Sequence, residues 1–167
     1  MELKLLQEQD AESYWELRLE MLQQNPEAFG SSYEEALERE DPIQRVAKNL
    51  TRQGSYTFGY LDEKKLIGTV TLVIENGLKT QHKASLFAMY VTPSIRGKGI
   101  ARKLVRAAIQ KAESIDEIEQ VMLTVVTTNL TAKALYQSFG FNTYGTEKRA
   151  LKYKGEYFDE DLMVLFL

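Results

Sequence analysis

A short basic stretch that contains two glycines is the part of the sequence best suited to chemistry. Arg96, Gly97, Lys98, Gly99, Ile100 and Ala101 follow one another, and the apolar spacing around them predicts a strand before and a helix after. Free backbone N–H groups and the dipole at a helix start favour a phosphate, and glycine lets the chain wrap closely around it. Taken alone, such a stretch is more often only a turn.

Two other phosphate-binding signatures do not match this stretch. A Walker loop needs a serine or threonine directly after its lysine, and here Gly99 follows Lys98. The dinucleotide fingerprint needs a small residue at the position that Arg102 occupies.

A second pattern of spaced residues lies about thirty positions further along. It reads Asn129-x-x-Ala132-x-x-Leu135-Tyr136-x-x-x-Gly140-Phe141. By position alone, Asn129 is expected to cap the following helix. Tyr136 shares a predicted helix face with Ala132 and Leu135, which is typical of a core aromatic side chain.

The elements that must position these residues can be predicted from hydrophobic periodicity. Helices are predicted from Asp10 to about Asn25, from Asp41-Pro42 onward, from Ile100 onward, and over 130–139 before Gly140. Strands are predicted near 3–5 and over 55–61, 66–74, 83–91 and 121–126, with two more after Gly140, the last over 162–167. The strand–helix–strand order over 83–126 predicts a parallel crossover within an α+β fold.

Composition sets bounds on the class of protein. The chain has 167 residues, 44% hydrophobic and 27% charged, which fits a single globular domain over 1–167. Cysteine is absent and His82 is the only histidine, so we expect no metal site. The net charge of −3 argues against a nucleic-acid-binding protein. The polar N-terminus resembles neither a signal peptide nor a membrane anchor, so we expect a cytoplasmic location and no membrane partner.

Together, the two patterns resemble the acetyl-CoA signatures of the GNAT superfamily of N-acetyltransferases. The first is Arg96-x-x-Gly99-x-Ala101 after a strand ending Ala88-Met89-Tyr90-Val91, and the second is the Asn129 to Phe141 pattern. The resemblance extends over essentially the whole chain. It implies an α+β GNAT-like fold whose mostly antiparallel sheet of about seven strands has one parallel, splayed pair and is flanked by helices.

The resemblance also implies which residues bind acetyl-CoA. The pyrophosphate would be held by amides of 97–101 with help from Arg96, Lys98 or Arg102, and the pantetheine by the main chain of Met89 and Val91 and by Asn129. Tyr136 would protonate the departing thiolate as the catalytic acid. The expected cofactor-binding residues are Met89, Tyr90, Val91, Arg96, Gly97, Lys98, Gly99, Ile100, Ala101, Arg102, Asn129, Ala132 and Tyr136.

The amine acceptor is less well defined by the sequence. In the family, the segment between the first two helices commonly forms a wall of the acceptor site, which points to Phe29, Ser32, Glu34 and Glu35 and to a cationic amine. The strand over 86–91 lacks the glutamate that some members place there. The group that removes the proton of the amine therefore stays open: it is a base or a water chain, with Glu34, Glu35, Glu75 and His82 as the candidates.

The function predicted from these features is acetyl transfer from acetyl-CoA to a primary amine of a small molecule. A peptide or protein amine is the first alternative, and a non-catalytic acyl-CoA-binding module is the second. A third class, a nucleic-acid-associated protein, would use the cations Arg96, Lys98, Arg102, Lys103 and Arg106 and is disfavoured by the net charge. The sequence leaves the oligomeric state open, with a homodimer among the options.

Overall fold

The computed structural model describes residues 1–167 and has the predicted α+β architecture. Its strands are β1 (Glu2–Leu5), β2 (Ser55–Asp62), β3 (Lys65–Ile74), β4 (Lys83–Val91), β5 (Gln120–Val126), β6 (Asn142–Tyr153) and β7 (Glu156–Phe166). Its helices are α1 (Ala11–Gln24), α2 (Tyr33–Leu37), α3 (Pro42–Leu50), α4 (Ile100–Glu113) and α5 (Leu130–Gln137).

All seven strands form one sheet in the order β1-β2-β3-β4-β5-β7-β6. Neighbouring strands are antiparallel except β4 and β5, which are parallel. Helix α4 connects these two, because a parallel pair needs a crossover rather than a tight turn. The predicted mostly antiparallel sheet with one parallel pair is confirmed.

The second half of the sheet differs from the prediction in its strand lengths. The last strand begins at Glu156 rather than 162, and it forms a long hairpin with β6. The turn is at Lys154 and Gly155, both with positive φ, of 48° and 83°. Exposed polar residues predominate along β6, so the apolar pattern that marks a strand is missing there.

The helices divide between the two faces of the sheet. Along β3, successive side chains point to opposite faces: Val70 and Leu72 pack in the core cluster that contains α4 and Tyr136, whereas Thr71 lies beside Tyr14 of α1. A second, smaller core cluster joins α1, α2 and α3. The segments that carry the two sequence patterns and the segment around α1 and α2 therefore lie on opposite sides of the sheet, and a ligand that reaches both must pass through it.

The sheet provides such a passage between β4 and β5. The two strands pair only at Lys83–Ser85 with Gln120–Met122. Beyond this point β4 carries a bulge: Phe87 pairs with Thr71 and Tyr90 with Thr69, and Ala88 between them has a φ of 50°. A bulge increases local twist and bends the strand. The C-terminal parts of β4 and β5 consequently diverge.

Candidate active site

A cleft of about 1410 Å³ occupies the gap between β4 and β5. At one end it is lined by the loop and first turn that precede and begin α4, and by residues of α5. At the other end it is lined by residues of α1, α3, β2 and β3. Of the thirteen residues expected to bind the cofactor, all except Lys98 line this cleft.

The loop before α4 has the geometry of an anion cradle. Gly97 and Gly99 have φ angles of 80° and 74°, a region that favours glycine. No heavy atom lies within 4 Å of the position that a Cβ would take at either residue. The backbone N–H groups of 97–102 donate to no backbone acceptor, and they stand at the positive end of a 14-residue helix. These residues fit a pyrophosphate.

Arg96 holds this loop in place. Its Nε donates to the carbonyl oxygen of Val91 over 2.8 Å, and its Nη2 donates to Oδ1 of Asn25 over 3.0 Å. The guanidinium also lies 5.6 Å from the centroid of the Tyr90 ring. Arg96 is thus engaged with the protein. Arg102 also lines this end of the cleft. It is exposed and lies beside the ring of Phe139, but its guanidinium makes no hydrogen bond to the protein.

Tyr90 and Thr92 connect the end of β4 to α1. Both hydroxyls donate to Oε1 of Glu20, over 3.0 Å and 2.7 Å. Burial, reinforced by the carboxylate of Glu20, raises the pKa of Tyr90. The Tyr90 hydroxyl is therefore protonated and occupied, and its role at this point is to fix the strand from which Met89 lines the cleft.

Helix α5 is fixed by a cap at its N-terminus and by an ion pair to the sheet. Oδ1 of Asn129 accepts from the N–H of Ala132 over 3.1 Å, so Asn129 is the predicted N-cap while it also lines the cleft. Nζ of Lys133 lies 2.5 Å from Oδ2 of Asp161 in β7. Oδ1 of Asp161 accepts from Thr146 of β6 over 2.7 Å. These bonds hold the pKa of Asp161 below its usual range.

Tyr136 lines the cleft from α5. Its ring packs edge-on against Phe141 at a centroid distance of 5.9 Å, and only 6% of the residue is exposed. Burial raises its pKa to about 12. The hydroxyl has no hydrogen-bond partner in the protein. It is also not fully enclosed, because the only fully enclosed side-chain polar atom without a partner is Oγ1 of Thr69. The Tyr136 hydroxyl therefore keeps access to the cleft.

The residues expected to bind the acceptor separate into two groups. Phe29 lines the cleft, whereas Ser32, Glu34 and Glu35 do not. Ser32 and Glu35 form a capping box at the start of α2, in which each side chain accepts from the other's backbone N–H over 3.1 Å. These bonds lower the pKa of Glu35. Both glutamates are exposed and lie outside the cleft. They therefore do not give the cleft the preference for a cationic amine that was expected from them.

Residues that sequence reasoning did not single out form the walls around Phe29. Tyr14, Trp15 and Arg18 project from consecutive turns of α1. The sheet contributes Thr57 and Thr71, whose hydroxyls are 2.9 Å apart. The sequence did contain signals for these walls. They were the polar side chains on strands β2 and β3 and an arginine beside the buried positions of α1.

Only one of the four expected base candidates lines the cleft, namely Glu75, the residue directly after β3. His82, Glu34 and Glu35 lie outside it. Glu160 of β7 also lines the cleft, and it pairs in register with Glu147 of β6. Burial, with a contribution from Glu147, raises its pKa. A run of three acidic residues within an apolar strand was the missed signal.

Comparison with known proteins agrees with this geometry. The Acetyltransferase (GNAT) family matches residues 15–141, more than half of the chain. This chain belongs to the GNAT family. The resemblance drawn from the two motifs is thereby confirmed.

Several curated relatives match part of the chain. Human N-acetyltransferase 8 is 34% identical over 97 residues, covering 58% of this chain and 42% of the human protein. The L-amino acid N-acetyltransferase of Escherichia coli K12 is 28% identical over 94 residues, 56% of this chain and 57% of that protein. The spermidine N(1)-acetyltransferase of Vibrio cholerae is 30% identical over 103 residues, 62% and 58% of the two chains. The chain spans about half the length of these relatives.

Solved structures share the complete fold. An acetyltransferase of the GNAT family from Streptococcus pneumoniae has a TM-score of 0.87 at 20% identity, with 99% of each chain covered. A Salmonella typhimurium protein solved with its cofactor acetyl-CoA has a TM-score of 0.85 at 19% identity, covering 100% of this chain and 94% of that one. At these identities the likeness establishes the fold.

Two further properties of this GNAT chain concern membranes and metals. No helix has both the length and the apolar character needed to cross a bilayer. No group of three or more histidine, aspartate or glutamate side chains is arranged to hold a metal ion.

Proposed function

We propose that this chain transfers the acetyl group of acetyl-CoA directly to a primary amine of a small molecule. The observation that carries the proposal is the cleft, which has free N–H groups at one end of the β4–β5 gap and an aromatic, hydroxyl-lined pocket at the other. Membership of the GNAT family supports the reaction class. The names of the bacterial relatives, which refer to L-amino acids and spermidine, support a small amine as acceptor.

The protein would bind the co-substrate mainly through its backbone. The amides of 97–102 would hold the pyrophosphate, with Arg102 adding charge. Met89 and Asn129 would bind the pantetheine, whose amides can take the place of the missing strand in the gap. Acetyl-CoA supplies an activated thioester. With no cysteine in the chain, we expect direct attack by the amine, helped chiefly by positioning.

Tyr136 is proposed as the acid that protonates the departing thiolate. A phenol whose pKa is about 12 keeps its proton throughout the neutral range. Its hydroxyl has no partner in the protein, so it is available to donate to a group within the cleft.

Glu160 is proposed as the base that takes the proton from the amine. Side chains alternate along β7, and Asp161 points to α5, so Glu160 points to the opposite face, where α1 lies. The acid and the base would then approach the reacting atoms from opposite sides of the sheet. A carboxylate with a raised pKa is a stronger base than an ordinary one. Glu75 is the alternative, because it also lines the cleft.

The proposal can be tested by mixing purified protein with acetyl-CoA and a panel of amines while thiol release is followed. The panel should contain amino acids, simple amines, spermidine, and peptides with free α- and ε-amines. We expect saturable thiol release with a small amine and a product heavier by one acetyl group. Faster turnover of peptides would favour a protein acceptor. Calorimetric binding of acetyl-CoA without turnover of any amine would instead indicate a binding module.

A further inference from the structure

Arg18 is the most unusual charged residue of the cleft. It lies on α1, with its guanidinium 5.4 Å from the centroid of the Phe29 ring. Its Nη1 is 3.2 Å from Sδ of Met21, a weak acceptor. Trp15 and Tyr14, three and four positions earlier on the helix, line the cleft on the same face. The guanidinium thus lies beside an aromatic ring and a thioether, on a helix face that lines the cleft.

No carboxylate in the protein neutralises this arginine. The three ion pairs are Lys4–Asp10, Lys133–Asp161 and Lys148–Asp159, and no carboxylate influences the pKa of Arg18. That pKa is lowered by burial and by the charge of Arg39, with only Tyr14 opposing the change. A partly buried cation without a counter-ion is costly to maintain. Because arginine does not lose its proton in proteins, the charge persists, and an anion that enters the cleft would compensate it.

The shape of the guanidinium indicates which anion. Its planar fork matches the two oxygens of a carboxylate and binds them through parallel hydrogen bonds. A second cation of a polyamine placed here would be repelled by Arg18 and by Arg39. We propose that Arg18 binds a carboxylate carried by the acceptor, so that the substrates are amino acids or similar amino carboxylates. This inference rests on the proposed acetyltransferase function and narrows its acceptor class.

The test compares amines that differ only in the carboxylate. Phenylalanine is paired with phenethylamine and methionine with 3-(methylthio)propylamine, and spermidine serves as a polycation. We expect the wild-type kcat/KM to be at least about tenfold higher for the amino acid of each pair. Arg18→Gln should lower kcat/KM for the amino acids by about 10- to 100-fold, the usual scale for a hydrogen bond to a charged group. It should leave the decarboxylated amines and the affinity for acetyl-CoA unchanged.

Two variants control for general damage. Arg18→Lys keeps the charge without the fork and should restore part of the preference. Arg45→Gln removes an exposed arginine of α3 that lies outside the cleft, and it should behave as wild type. A melting curve for each variant verifies folding.

The outcomes separate the inference from the proposed function. Preference of the wild type for a decarboxylated amine or spermidine would overturn the carboxylate assignment and leave the acetyltransferase proposal intact. An equal loss for both members of each pair in Arg18→Gln, or a loss confined to acetyl-CoA affinity, would also overturn it. Absence of thiol release with every acceptor would overturn the proposed function, and the inference with it.

Discussion

Nζ of Lys133 lies 2.5 Å from Oδ2 of Asp161, and this ion pair joins the helix that carries Tyr136 to the middle of β7. Asp161→Asn should therefore destabilise the protein by about 1.5–3 kcal/mol, the scale of a hydrogen bond to a charged group. That corresponds to a melting temperature lower by about 3–12 °C. It should also reduce kcat, because α5 loses one of its attachments to the sheet.

The stabilisation from Asp161 should depend on pH in a defined direction. Its pKa is lowered in the folded protein, so its contribution is present above the unfolded pKa of about 4 and is lost as the pH falls below it. The gap in melting temperature between wild type and Asp161→Asn should be largest near pH 7 and shrink in acid. Lys148→Gln, which removes an exposed ion pair, is the matched control and should change little.

Tyr136→Phe should lower kcat by about 10²–10⁴, the usual contribution of a general acid. The ring that packs against Phe141 is retained and the hydroxyl has no partner in the protein, so melting temperature and acetyl-CoA affinity should stay the same. Since its pKa is about 12, the wild-type rate should show no loss from Tyr136 ionisation below about pH 11. A variant that turns over like wild type would remove Tyr136 as the acid.

The anion cradle can be tested with two substitutions whose side chains have a similar shape and differ in charge. Gly99 has a φ of 74°, a conformation that asparagine and aspartate tolerate better than other side chains. Gly99→Asp should bind acetyl-CoA at least about tenfold more weakly than Gly99→Asn, because two like charges about 4 Å apart repel by about 1–4 kcal/mol. Calorimetric titration measures both affinities. Equal affinities would place the pyrophosphate elsewhere.

Glu160→Gln should raise stability and lower activity together. Glu160 and Glu147 face each other in register. Like charges directly opposite each other are destabilising, and cross-strand pairs act on a scale of about 0.2–1 kcal/mol. A raised pKa means that ionisation disfavours the folded state, so the wild type loses stability as the pH rises through that pKa. The variant should melt about 1–3 °C higher at pH 8, with no difference near pH 3.

If Glu160 is the base, Glu160→Gln should have a lower kcat, and its pH–rate profile should lack the fall in rate at acidic pH. Glu75→Gln is the comparison, because Glu75 lines the same cleft. If only Glu75→Gln abolished that fall in rate, the role of the base would pass to Glu75.

Several features of this protein were predictable because their causes are local in the sequence. The bounds of β4 and the start of α4 follow from hydrophobic periodicity and match the fold. The glycines at 97 and 99 and the N-cap at Asn129 depend on residues within one turn. The order of the two patterns that resemble GNAT signatures is likewise a property of the sequence. For these reasons the amino-acid sequence alone is enough to identify the family and the fold.

The end of the cleft beside α1 depends on tertiary structure, because its walls come from distant segments. Arg18 meets Phe29 only through the packing of α1 against the following loop, and Glu160 reaches the cleft only because β7 inserts beside β5. Glu35 was expected to bind the acceptor, but its carboxylate accepts a hydrogen bond at the start of α2 and lies outside the cleft. Sequence position alone does not show whether a charged side chain bonds to its own helix or faces a ligand. The reason is that its burial and its lack of a counter-ion arise only after the elements pack.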